Sequence, residues 1–502
     1  MRLKISLIVL TSLVIITTAC NKFTDAGLPK NLLTDEVTFA ADGTAIAAVT
    51  SAFSTISNMN IPADAFKSIA ISAGLSADEL NLFTNFPPST SGYDFLLRHY
   101  QNSLAPATVT SSNNTSWQQC YSFIFNANVA INSLNASSTL TARVKQQLLG
   151  EMKFIRAFMY FYLVNLYGDV PLALSADFNI NQQIGRTPKA QAYQQMIQDL
   201  KEAQAVLGEG YVDGTLLAPT PERVRPNKWA ATALLARIYL YTGDYAQAET
   251  QASAVISNSG LYGLPALNDA FLKNSTETIW SVQAVGTTTL SNTAEGRVFI
   301  LSTAGPTTST PVYLSGQQMA AFKPGDLRGT VGYWVGSVSA AGTTYFYPTK
   351  YKIGSVSTAS AEYSMMLRLA EQYLIRAEAR IRNGSIAAGI GDLNVLRTRA
   401  RAAQTTALQN PLPALSTTLS PIDAMTAVMN ERQAELFTEW GHRWFDLKRT
   451  GTVDAVMSVV TPLKVISSST PNNWTSAYAL YPIPQAELDR SPLLVGQQNP
   501  GY

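Results

Sequence analysis

The chain has 502 residues and a formal net charge of +2, with 46% of its residues hydrophobic and 14% charged; it holds ample apolar material for a large core, and its surface is much poorer in charge than the roughly 25% usual for soluble proteins. Two cysteines and two histidines exclude a disulfide framework and a histidine-rich metal site. No basic or acidic run calls for nucleic acid or an anionic membrane.

Residues 1–20 combine Arg2 and Lys4, an apolar run from Ile5 to Ile16, and Thr17, Thr18 and Ala19 ahead of Cys20. The run is too short to span a bilayer, so residues 1–19 read as an export signal. A small residue before a lone cysteine resembles a bacterial lipobox, with cleavage before Cys20 and lipid on its sulfur, although Thr17 stands where that motif usually has Leu. Losing Arg2 and Lys4 leaves the exported chain formally neutral. Cys120, without a partner, is expected as a small buried residue.

Asp35 to Ser57 predicts one helix and Ser116 to Leu134 a stronger one, whose Trp117, Tyr121, Ile124, Asn128, Ile131 and Leu134 share a face. Between them, Ser76 to Ser116 mixes Phe83, Phe86 and Tyr93 with proline and serine and reads as an exposed loop. Met152 to Leu172 is the densest apolar stretch: Leu148, Met152, Ile155, Met159, Tyr162 and Leu166 form one helical stripe and Phe154, Phe158 and Phe161 a second, so this helix is buried on most sides. Gly168 and Pro171 end it. Arg156 among those rings must find a carboxylate or carbonyl partner. A helix from Arg186 to Leu207 follows, with Thr187 as N-cap and Pro188 in its first turn.

From Asn227 the order Leu234, Ala236, Tyr239, Gly243, Tyr245, Ala248, Ala252 is similar to a tetratricopeptide repeat, in which small residues let two antiparallel helices approach and glycine makes the turn. Arg368 to Ala400 returns to the same logic. Helix pairs are thus expected around 141–256 and 365–450, stacked as a short superhelix because none buries its apolar face alone. Between them, residues 260–360 lose helical periodicity. Glu277 to Val285 predicts a short buried strand with Trp280 packed. Phe322 to Tyr351 gathers Asp326, Arg328, Tyr333, Trp334, Tyr345, Phe346 and Tyr347 among glycines, and some of these rings are expected to face solvent.

Glu431, Glu435 and Glu439 repeat at four along one predicted helical face, a spacing that could serve acid–base work or a cation. Arg432, Arg443 and Lys448 are close enough to neutralise them, which favours a structural role, with His442 as a packed surface residue. The proline-rich end, from Leu480 to Tyr502, is expected to wrap the helices.

Five blocks in order, YLVNLYGDVPL, the repeat from Lys228, LRLAEQYLIRAEA with DLNVLRTRA, ERQAELFTEWGHRWFDLKR, and YPIPQAEL with QNPGY, resemble the SusD/RagB family of surface nutrient-binding lipoproteins. The resemblance implies residues 20–502 as one SusD-like domain: a mainly α, tetratricopeptide-like superhelix with a loop-rich, mixed ligand-binding face from segments around 58–116 and 260–360. It further implies an outer-membrane, lipid-anchored, surface-exposed protein that captures oligosaccharides, polysaccharides or, in some members, peptides, and passes them to a SusC-like TonB-dependent transporter, with the repeats facing that partner. No catalytic residues, metal or cofactor come with it. A sugar site needs flat rings for pyranose faces and amides or hydroxyls for their edges, and Phe86, Tyr93, Tyr333, Trp334 and Tyr345 are the ring candidates. A helical-frame glycoside hydrolase lacks a carboxylate pair in a loop setting here, and a pure protein adaptor is the remaining rival.

Overall fold

The computed structural model describes residues 35–59, 68–84, 92–106, 116–284, 291–355, 357, 359–465 and 473–502. The expected signal segment, Cys20 and Phe86 lie outside them. The helices that position the site are, in chain order, α1 (Asp42–Met59), α2 (Ile69–Ser76), α3 (Tyr93–Tyr100), α4 (Ser116–Ala136), α5 (Ala142–Tyr167), α6 (Lys189–Val206), α7 (Lys228–Thr242), α8 (Tyr245–Ile256), α9 (Leu369–Arg382), α10 (Ile386–Ala400), α11 (Pro421–Leu436) and α12 (His442–Arg449). The strands are β1 (Leu80–Leu82), β2 (Thr278–Val282), β3 (Val312–Leu314), β4 (Val335–Ala340), β5 (Thr343–Pro348) and β6 (Ser364–Arg368). They make three antiparallel two-stranded sheets, β1 with β3, β2 with β6, and β4 with β5.

α5 is the axis of the main core. Both of its apolar stripes are buried, and it packs against α4 on one side and α6 on the other. Its Arg156 meets the expected partners: Nε and Nη2 donate to the Asp199 carboxylate of α6 at 2.8 and 2.6 Å, and Nη1 donates to Asn128 Oδ1 of α4 at 2.9 Å. The buried charge thus fixes three helices in register. Cys120 is buried, as expected.

The stack continues α6, α7, α8, α9, α10, each helix packing on the next, with α11 against α9. Asn227 caps α7, its Oδ1 accepting from Trp229 N and Ala230 N. Gly243, at φ +79°, makes the left-handed turn into α8 that a side chain would resist. Residues 257–368 leave the superhelix after α8, and α9 returns to lie directly on α8. This is the mainly α, tetratricopeptide-like frame that the sequence predicts.

Three boundaries differ from expectation. Asp35–Thr38 is a separate turn of helix, because the chain breaks at Phe39, which enters the main core, and restarts at Asp42, whose Oδ1 accepts from Thr141 N at 2.9 Å. α6 begins at Lys189, one residue later than Thr187 as N-cap would give, because Asp169 supplies the cap by accepting from Lys189 N at 2.8 Å. The stretch read as one exposed loop contains β1 and α3, and these, with α2 just before them, build a second core with Val312, Leu314, Trp334 and Phe437. β2 is fully buried as expected, and Trp280 sits edge-on to Phe154 and Phe158 with centroids 4.9 and 5.2 Å away.

Candidate functional site

The second core carries a group of half-buried rings on its outer side. In β1, Leu80 and Leu82 point inward, so Asn81 and the following Phe83 lie on the opposite face of the strand. Tyr313, paired with Asn81 across the sheet, shares that face between inward Val312 and Leu314. Tyr345 comes from the β4–β5 hairpin, whose two-residue turn has φ +50° at Ala341 and +78° at Gly342, the paired positive values of a turn that matches strand twist. The three half-buried rings form a corner: Tyr345 is perpendicular to Tyr313 with centroids 5.0 Å apart and to Phe83 at 6.2 Å. Gly305, at φ +80°, lets the neighbouring turn come against this hairpin, since a Cβ there would stand 2.8 Å from that of Ala340.

Tyr100 Oη donates to Asn81 Oδ1 at 3.4 Å, which leaves the Asn81 amide nitrogen beside the rings without a partner among the described residues. Burial, and next the neighbouring Tyr345, raise the Tyr313 hydroxyl above its ordinary value, so it stays a neutral phenol. Chemically the corner offers two ring faces at right angles, phenol edges and an amide.

Of the five ring candidates, Tyr345 lies in this corner. Trp334 does not: it is 0% exposed, its Nε1 donates to Leu267 O at 2.8 Å, and its ring is flanked by Lys350, Arg368 and Arg399. Tyr93 is 4% exposed because it opens α3 on the same helical stripe as Leu96 and Tyr100. Neither ring offers a face to a ligand. Tyr333 is half-buried against the second core, with its carbonyl oxygen accepting from Thr349 Oγ1 and Lys352 Nζ. Sequence reading passed over Tyr313 and named Phe83 as a loop ring without placing it among the candidates; their signal is the alternation Leu-Asn-Leu-Phe set against Pro-Val-Tyr-Leu, which only the pairing of remote strands makes readable.

The acidic run near the end is structural, but with other partners than the sequence suggested. Glu435 receives Arg368 Nη1 at 2.7 Å and Arg328 Nη1 at 2.8 Å, and it also pairs with Arg399. Glu439 receives Arg368 Nε at 2.7 Å and Lys350 Nζ at 2.5 Å, and Glu431 meets Arg328 at 2.7 Å and Arg397 at 3.0 Å. Glu277 and Asp326 complete the cluster through Arg368, Arg399 and Arg328. Arg432 and Arg443 turn elsewhere, to Asp446 and Asp78. Lys448 donates to Asn165 O. Glu439 stands beyond the end of α11, and His442 is buried rather than on the surface, since the chain turns back into the core through positive φ at Thr438, Trp440 and Gly441. Burial pushes the Glu435 carboxyl up, but Arg399, Arg368 and Arg328 outweigh it and hold the group well below the usual carboxylate range. A carboxylate so fully neutralised has no proton to trade.

Among the described residues, no helix is long and apolar enough to cross a membrane, and no group of three or more His, Cys, Asp or Glu side chains is set to hold a metal ion.

A helical-repeat superhelix carrying a loop-rich second core with an open aromatic corner defines a class of architecture, and comparison with known proteins gives the family. The SusD family profile matches residues 309–502, and a profile described as starch-binding and associating with the outer membrane matches residues 82–240. SusD-like protein P2 of Formosa agariphila is 28% identical over 77% of this chain and 80% of its own length. Among solved structures, a SusD superfamily protein from Bacteroides vulgatus aligns with a TM-score of 0.72 at 20% identity, covering 92% of this chain and 99% of that one. A laminarin binding SusD-like protein aligns with a TM-score of 0.69 at 21% identity, covering 91% and 99%. The chain belongs to the SusD/RagB family.

Proposed function

We propose that this protein is a surface lipoprotein that binds a glycan at the Phe83, Tyr313 and Tyr345 corner and delivers it to a SusC-like TonB-dependent transporter, doing no chemistry of its own. The corner carries the reading: two ring faces suit the C–H faces of pyranoses, and the Asn81 amide suits a hydroxyl edge. Laminarin binding by a SusD-like protein of the same fold supports a glycan as the ligand class. Lipid on Cys20 and residues 20–502 as one domain belong to the same proposal.

The test is binding of the chain from Asn21 onward to a panel of neutral polysaccharides and a peptide pool by affinity electrophoresis and calorimetry. Tyr345→Ala and Phe83→Ala are expected to weaken one glycan by tenfold or more, about 1.4 kcal/mol, and Tyr333→Ala much less. Retention of peptides with no glycan bound overturns the carbohydrate reading, and a glycan whose affinity both substitutions leave unchanged overturns the site.

A further inference from the structure

A second site of different chemistry lies at the C-terminal end of α5, in a cleft of about 780 Å³ that shares no residue with the aromatic corner. That volume falls within the range of small-ligand pockets. Its cations are Arg186, Lys189, Lys448 and Arg449, and Asp169 is the carboxylate that lines it. Arg449 is already satisfied by both oxygens of Glu378, at 2.6 and 2.7 Å. Arg186 spends its guanidinium on neutral oxygens, those of Asp169 O, Gln497 O and Asn499 Oδ1 foremost. Lys448 donates to Asn165 O in the last turn of α5, a favourable place for a cation, and this is one of the three donors an ammonium has. Lys189, exposed at the rim, makes no side-chain hydrogen bond among the described residues. Three cations thus face one carboxylate.

Two further features bear on the chemistry of this cleft. Tyr241 lines it, and its buried hydroxyl has no hydrogen-bond partner among the described residues. Lys448 is pulled down to about 7, first by burial and then by the like charge of Lys189, the behaviour of an ammonium without a counter-ion. Val164, Leu480 and Pro500 give the same cleft apolar walls.

We propose that this cleft binds an acidic sugar residue, with the carboxylate of a uronic acid or the sulfate ester of a sulfated sugar held by Lys448 and Lys189 and the ring lying along the apolar wall. Arg186 adds charge without moving, since its carbonyl contacts fix it, and Tyr241 contributes to the wall of the cleft. This goes beyond glycan capture at the aromatic corner and stands independently of it.

The probes are sodium glucuronate and glucose 6-sulfate, titrated by calorimetry into the chain from Asn21 onward, with glucose, sodium sulfate and a hexaglutamate peptide alongside. The acidic sugars are expected to bind at least tenfold more tightly than glucose, to weaken as salt is raised, and to weaken at least tenfold in Lys448→Met and threefold or more in Lys189→Ala, with Phe178→Ala, at an exposed ring that belongs to neither site, unchanged. Because Lys189 is exposed, its variant keeps the fold and decides the matter if Lys448→Met does not fold. The proposal is overturned if acidic sugars bind no better than glucose, if Lys189→Ala leaves them unaffected, if sulfate ion alone matches glucose 6-sulfate, or if the acidic peptide outcompetes both sugars.

Discussion

Arg368→Met tests whether charge balance holds the two cores together. Arg368 is 2% exposed, and its guanidinium makes five contacts of 2.7 to 2.8 Å, with Glu277, Glu435, Glu439 and the carbonyl oxygen of Glu435. Around it Glu277, Asp326, Glu431, Glu435 and Glu439 face Arg328, Lys350, Arg368, Arg397 and Arg399, five charges of each sign. Removing one cation leaves a buried negative charge, which costs about 3–5 kcal/mol. At about 2.1 cal/mol/K per residue over the roughly 480 residues from Cys20 onward, the unfolding entropy is on the order of 1 kcal/mol/K, so Tm falls by about 3–5 °C in calorimetry at pH 7.5. The pH dependence has a definite sign. In the wild type, Glu435 and Glu439 are held below their unfolded values by their cations despite burial, so their stabilisation is present above about pH 4.3 and is lost on further acidification. In the variant the orphaned carboxylate takes up a proton more readily, so the deficit narrows between pH 7.5 and 5. Adding Glu439→Gln restores the balance and recovers part of the loss at neutral pH. An unchanged Tm, or a deficit that grows on acidification, refutes the reasoning.

Glu79 is 1% exposed, and burial, then Asp78, push its carboxyl up to about 8 against the hydrogen bond from Thr438 N. A raised acid stabilises most below its unfolded value, so the wild type loses ground to Glu79→Gln by about 3.5 kcal/mol between pH 5 and 8 and levels off about one pH unit higher; a Tm difference independent of pH in this window contradicts the assignment. On α10, a Cβ at Gly389 would stand 2.6 Å from both Ala377 O and Ile381 Cγ1 of α9, whereas Gly391 has nothing within 4 Å. Gly391→Ala is expected to raise stability by up to about 1 kcal/mol through helix propensity alone, and Gly389→Ala to lower it, since a clash with backbone costs about 1–3 kcal/mol and outweighs that gain; urea denaturation of the two variants side by side checks the contrast.

What was legible in the sequence is what local periodicity encodes. The two stripes of α5, the small residues and Gly243 of the α7–α8 turn, and the isolated arginine at 156 each constrain their surroundings within a few turns of helix. What was not legible depends on partners far along the chain. Glu435 and Glu439 take their counter-charges from Arg328, Lys350, Arg368 and Arg399, not from the adjacent Arg432 and Arg443. Trp334 and Tyr93 look like loop rings beside glycine, proline and serine, yet each supplies volume to a core assembled from distant segments. The aromatic corner exists only because β1 pairs with β3, more than two hundred residues later, so no window of sequence contains it.

The return of α9 onto α8 has an evolutionary consequence. Arg380 near the end of α9 bonds Glu249 near the start of α8 at 2.9 Å, so the two helices that flank the excursion are pinned to each other at the end away from it. The excursion of residues 257–368 is tied to the helices at β2, β6 and the Arg328 and Lys350 ion pairs; between those ties its loops can lengthen at a loop-closure cost that grows only logarithmically. Descendants of this gene are free to rewrite the outward positions around Tyr313 and Tyr345, and so to exchange one ligand for another, while the buried ties beneath them keep the scaffold.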